Sequence, residues 1–153
     1  MARIFIAIRF NDDVKNTFVN IQNALRTKGV RGNYCPYNNF HLTLAFIGEK
    51  YNLQNIYKAV SEVTFKPFTM TLGELGTFPT KTGVIWCGIK EKEPVTTVAN
   101  KLRERLAAND VGFSAMTFYP HISLVRQPST IITDIDGSPD KSRGKLFDST
   151  EIL

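Results

Sequence analysis

Hydrophobic and polar positions along this chain follow two periods, and together they predict most of its elements. Arg3 to Phe10 (RIFIAIRF) is rich in Ile and Phe and predicts a buried strand. Asn11, Asp12 and Asp13 then supply a cap and acidic first-turn residues. Val14, Phe18, Ile21 and Leu25 follow at helical spacing as a core-facing stripe, and Gly29 ends the helix. Asn33 to Phe40, with Pro36 and paired asparagines, is a turn-rich approach to a strand from His41 to Ile47 that closes at Gly48. Leu53, Ile56, Tyr57, Val60 and Val63 describe a second amphipathic helix. Phe68 to Leu72 alternates with threonine and methionine as a strand would, and 73–83 reads as a loop or bulged turn. Another strand, Gly83 to Lys90 (GVIWCGIK), holds the only tryptophan. Pro94 suits the first turn of a helix striped by Val95, Val98, Leu102 and Leu106, with Lys101, Arg103 and Arg105 available on other faces. Asn109 and Gly112 break that helix, and a strand runs from His121 to Arg126. Beyond Pro128 the pattern weakens: Ile131 and Ile132 extend a strand, 136–144 is polar and loop-like, and 145–153 suits a short last strand.

Strands and helices in this mixed order argue for an α+β fold. At 153 residues the chain is expected to form a single domain, 1–153, with a substantial core. Lys and Arg number 19 against 14 Asp and Glu, a net +5 that suits a polyanionic partner such as RNA. The absence of a long apolar run or cleavable leader leads to the expectation of a cytosolic protein without a membrane partner. Cys35 and Cys87 lack CxxC spacing and read as buried or incidental thiols. With two histidines in all, a multi-histidine metal centre is not expected.

Those two histidines carry the strongest signal. His41-Leu42-Thr43-Leu44 and His121-Ile122-Ser123-Leu124 share one pattern, 121 − 41 = 80 residues apart. Alternate strand side chains share a face, so each imidazole stands beside a hydroxyl while the aliphatic residues point away. Imidazole titrates near neutrality, so one ring can take a proton while the other gives one. That pairing suits phosphodiester chemistry, in which a water is deprotonated and an alkoxide protonated. Thr43 and Ser123 can donate hydrogen bonds to the non-bridging oxygens where charge builds. The plainer alternative for both hydroxyls is strand propensity. A Ser-His-acid arrangement fits worse, because no acidic residue stands near either histidine in sequence.

At these residues the chain resembles the 2H phosphoesterase superfamily, most closely its LigT-like RNA 2′,3′-cyclic phosphodiesterase branch. RIFIAIRF (3–10), NFHLTLAFIGE (39–49), LGELGTFP (72–79), GVIWCGI (83–89) and FYPHISLVR (118–126) carry the resemblance in order. It implies two pseudo-symmetric lobes of antiparallel sheet, helices outside and an active-site cleft between them. It also implies metal-independent and cofactor-free hydrolysis of a 2′,3′-cyclic phosphate on RNA or a nucleotide to a 2′-phosphate by a monomer, with 2′-5′ ligation as the reverse. His41 would protonate the departing 3′-oxygen, His121 would activate water, and Thr43 and Ser123 would hold the phosphate. Phe46 and Arg126 occupy family positions able to flank a base by stacking. Simple strand parity puts both on the face opposite their histidines, so a bulge or strand end must turn them inward; otherwise Phe46 is core and Arg126 a solvated strand end. A 2′,5′-phosphodiesterase and a non-catalytic RNA-end-binding module are the alternative functions. The chain departs from the family pattern after Arg126, where its C-terminal region is short and weakly matched.

Overall fold

The computed structural model describes residues 4–48, 51–78 and 83–129; the strands expected after Pro128 lie outside these residues. In order they form β1 (Ile4–Arg9), α1 (Asp12–Thr27), β2 (Asn33–Tyr34), a 3₁₀ turn (Tyr37–Asn39), β3 (His41–Gly48), α2 (Leu53–Ser61), β4 (Leu72–Phe78), β5 (Val84–Ile89), α3 (Lys92–Ala108) and β6 (His121–Arg126). The sheet runs β1-β3-β6-β5-β4 with β2 also paired to β6, and every pairing is antiparallel. Its two halves, β1-β3 and β6-β5-β4, meet at one register pair, Leu42 with Ile122. The two motif strands thus stand side by side at the seam, and the α+β arrangement of two pseudo-symmetric lobes is present.

The helices form where the stripes and caps place them. The Asn11 side chain accepts the Val14 N–H at the start of α1. At its end the Gly29 N–H reaches Arg26 O and the Val30 N–H reaches Leu25 O, with Gly29 at φ 86°. This is a Schellman closure, which needs a left-handed residue at that position. Val14, Phe18, Ile21 and Leu25 are all buried, and the Phe18 ring packs 5.3 Å from that of Phe10 and 5.0 Å from that of Phe40. Burying a side chain of this size stabilises the fold by roughly 1.5–3 kcal/mol. One contiguous core runs from these residues through Leu42, Leu44, Ile85, Leu102 and Ile122. No helix among the described residues is long and apolar enough to cross a membrane.

Three expectations need correction. The strand expected at Phe68 to Leu72 is irregular up to Leu72, and 73–78 of the expected loop belong to β4, while 79–82 lie outside the described residues. Its glycines serve packing: a Cβ on Gly76 would lie 2.4 Å from the Trp86 ring. In α2, Leu53 and Tyr57 are 44% and 66% exposed, while Ile56 and the small Ala59 are buried, because this short helix turns that edge toward α3. Arg103 does not lie on a free face of α3; its guanidinium bonds the carbonyls of Leu44 and Met116. The two-residue β2, inside the turn-rich approach, was not expected.

Candidate active site

Along β3, Leu42 and Leu44 are fully buried, while His41 and Thr43 are partly exposed on the opposite face. Ile122, Leu124, His121 and Ser123 repeat this in β6. The alternation then breaks in both strands. Ile6 pairs with Ala45 and Ala7 with Thr43, leaving Leu44 as an extra residue. Ile85 pairs with Val125 and Trp86 with Ser123, leaving Leu124 as its counterpart. A bulge of this kind moves the following residues to the other face. Phe46 and Arg126 are thereby brought out of the core side and into the cleft.

The cleft measures about 350 Å³ and gathers all six residues singled out from the sequence, His41, Thr43, Phe46, His121, Ser123 and Arg126. Phe5 and the approach to β3, including Tyr34, Cys35 and Asn39, complete its wall. Cys35, expected to be buried or incidental, is half-buried at this wall, and Cys87 is fully buried.

The imidazoles are fixed in the same way. His41 Nδ1 lies 2.5 Å from Asn39 O, and His121 Nδ1 lies 2.7 Å from Tyr119 O. A carbonyl oxygen only accepts, so each Nδ1 is the donor and each Nε2 is left as the atom that exchanges protons. Burial lowers the pKa of both histidines from the ordinary value by disfavouring the charged ring. For His41 the Asn39 carbonyl works against that shift, and the positive charges of Arg126 and His121 add to it. For His121 the Tyr119 carbonyl opposes the shift.

The sequence reading missed the aromatic setting of the rings. Phe5 stacks on His41 with centroids 4.6 Å apart and planes at 23°. Phe78 meets His121 edge-on at 4.9 Å, and Trp86 lies 6.2 Å away. A signal for Phe5 was available: Phe5, Ala7 and Arg9 share one face of β1, and the small and charged members mark it as the less packed face. Two basic nitrogens, two hydroxyls and a guanidinium around one cavity can move two protons and hold an oxyanion. Among the described residues no group of three or more His, Cys, Asp or Glu side chains is arranged to hold a metal ion.

Comparison with known proteins gives the same direction. The family described as LigT like Phosphoesterase matches residues 8–86. An RNA 2′,3′-cyclic phosphodiesterase of Archaeoglobus fulgidus is 32% identical over 141 residues, covering 87% of this chain and 78% of that protein. One from Thermotoga maritima is 29% identical, covering 97% of this chain and 87% of that protein. The crystal structure of E. coli LigT in apo form superposes with a TM-score of 0.82 at 25% identity, covering 98% of this chain and 84% of that one.

Proposed function

From the premise that the chain belongs to the LigT-like phosphoesterases, we propose that it is an RNA 2′,3′-cyclic phosphodiesterase working through its paired histidines. As a member of that family it is a hydrolase of phosphodiester bonds. The observation that carries the mechanistic reading is the pinning of both Nδ1 atoms on backbone carbonyls at the wall of one cleft. Each Nε2 is thus free to work on a different oxygen of the same phosphorus.

In the proposed reaction neutral His121 takes a proton from water as its oxygen bonds to phosphorus. The P–O bond to the ribose 3′-oxygen breaks, and protonated His41 gives that oxygen its proton. The product is a 2′-phosphate with a free 3′-hydroxyl, and proton exchange with solvent resets both rings. Thr43 and Ser123 donate to the non-bridging oxygens, where preorganised donors act most strongly as charge develops. Phe46 offers a face to the terminal base, and Arg126 offers a planar cation for stacking or for phosphate. Neither proton transfer calls for a metal ion.

The test is turnover of a 2′,3′-cyclic nucleotide in buffer containing EDTA. Each proton transfer is worth roughly 10²–10⁴-fold, so His41→Ala and His121→Ala should each lose at least a hundredfold in kcat, with the wild type releasing only the 2′-phosphate. Full activity in either variant, or activity lost to EDTA, would overturn the scheme.

A further inference from the structure

The bulges that aim Phe46 and Arg126 are each held by a side chain from the other half of the molecule. In β6 the extra residue is Leu124, whose carbonyl accepts from Gln22 Nε2 at 3.0 Å. The same nitrogen donates to Cys35 O at 3.0 Å. In β3 the extra residue is Leu44, whose carbonyl accepts from Arg103 Nε at 3.2 Å, and Arg103 Nη1 donates to Met116 O at 3.0 Å. Gln22 stands on α1 and Arg103 on α3, so each helix reaches across to the other half's motif strand.

The equivalence is positional throughout. Gln22 and Arg103 (103 − 22 = 81), Cys35 and Met116 (116 − 35 = 81), and Leu44 and Leu124 (124 − 44 = 80) keep the spacing of the two histidines to within one residue. Gln22 is 3% exposed, and the Arg103 guanidinium lies 5.7 Å from the rings of both Phe113 and Phe118. The Leu124 carbonyl also accepts from the Cys35 N–H at 2.9 Å, so Gln22 is its second donor and ties the bulge to the Cys35 carbonyl, while Arg103 gives the Leu44 carbonyl its side-chain donor.

We propose that Gln22 and Arg103 are positioning residues for substrate recognition. By bonding the bulge carbonyls, Gln22 holds Arg126 and Arg103 holds Phe46 on the cleft side, ready for the terminal nucleotide. The inference rests on the reading that the cleft takes a nucleotide 2′,3′-cyclic phosphate. It explains why an arginine sits where helix periodicity offered it a free face.

Kinetics on a 2′,3′-cyclic nucleotide tests it, because lost ground-state positioning raises KM more than it lowers kcat. Gln22→Met should raise KM about tenfold with kcat falling less than threefold. Adding Arg126→Ala should then cost nothing further, while adding Phe46→Ala should cost its full amount. Arg103→Met should show the mirror image, non-additive with Phe46→Ala alone. Arg103→Gln should recover most of the loss, since the glutamine Nε2 stands as many bonds from Cα as the arginine Nε. Unchanged KM, or additive losses in every pair, would overturn the proposal. If the wild type turned over no cyclic nucleotide, the substrate reading would fail, and amide hydrogen exchange would still judge the positioning. Gln22→Met should then deprotect residues 124–127 and spare 44–47, and Arg103→Met the reverse. Equal deprotection of both strands would mean general destabilisation and would sink the idea.

Discussion

Each imidazole in the cleft is partly buried, and that burial is the largest influence on its titration. The neutral ring is favoured, so both pKa values in the free protein lie below the ordinary 6.5. Because the chain has two histidines, proton NMR should give two ring titrations, both with midpoints acid of 6.5. Arg126→Ala removes a positive charge that acts on His41, so the His41 midpoint should rise while that of His121 stays; His121→Gln assigns the two curves. The kcat/KM profile reports the free protein's groups, and its bell should also centre acid of 6.5. Stability follows with a definite sign. The unfolded chain binds more protons than the folded one between the lowered values and 6.5, so this contribution is present above 6.5 and lost as pH falls through the folded values. The fall in Tm between pH 7 and 5 should therefore be smaller in His41→Gln and His121→Gln than in the wild type. A steeper fall in both variants would show that the rings are more readily protonated in the folded state.

At the scale of elements, the two long helices end by the same device with different residues. In α1 the left-handed position is Gly29, at φ 86°; in α3 it is Asp110, at φ 61°. Asp110 N–H reaches Ala107 O and Val111 N–H reaches Leu106 O, repeating the closure around Gly29. Asp110 is the poorer choice twice over, for it carries a Cβ in the left-handed region and a negative charge at the negative end of a helix dipole. Asp110→Gly should stabilise the protein by about 0.5–1 kcal/mol in urea denaturation, and Gly29→Asp should cost a similar amount. A loss of stability in Asp110→Gly would mean that the aspartate side chain has an unrecognised partner. The elements also mark where the sequence could be read and where it could not. The stripes of α1 and α3 and the motif strands were legible because one face of each is buried in the simplest pattern. β4 was hidden because glycines normally announce a turn, whereas Gly76 makes room for the Trp86 ring. Strand parity alone does not determine the turn of Phe46 and Arg126 into the cleft. A bulge leaves little mark in a single sequence beyond two adjacent apolar residues, here Leu44-Ala45 and Leu124-Val125.

For the whole molecule, the sequence showed the pseudo-symmetry only at the two histidine motifs, because the equivalent supporting residues share roles and not chemistry. Gln22 and Arg103, or Cys35 and Met116, cannot be aligned by residue type. Their exchange across the seam bears on how the protein unfolds. The sheet alone would let the halves part easily, since one register pair, Leu42 with Ile122, joins β3 to β6. Against that, Gln22 ties α1 to β6, Arg103 ties α3 to β3, and both halves share one core. Separating them would expose the apolar faces of both and strip two bulge carbonyls of their side-chain donors, so the intermediate with one half folded should be unpopulated. The chain supplies its own reporters: Trp86, the only tryptophan, stands in the second half, and His41 stands in the first. Urea unfolding followed by Trp86 fluorescence and by the His41 ring resonance should give one midpoint and one slope. Gln22→Met and Arg103→Met should lower that midpoint for both probes together. If the Trp86 signal were instead lost at a different urea concentration from the His41 signal, the halves would be separable domains and the cleft between them a hinge.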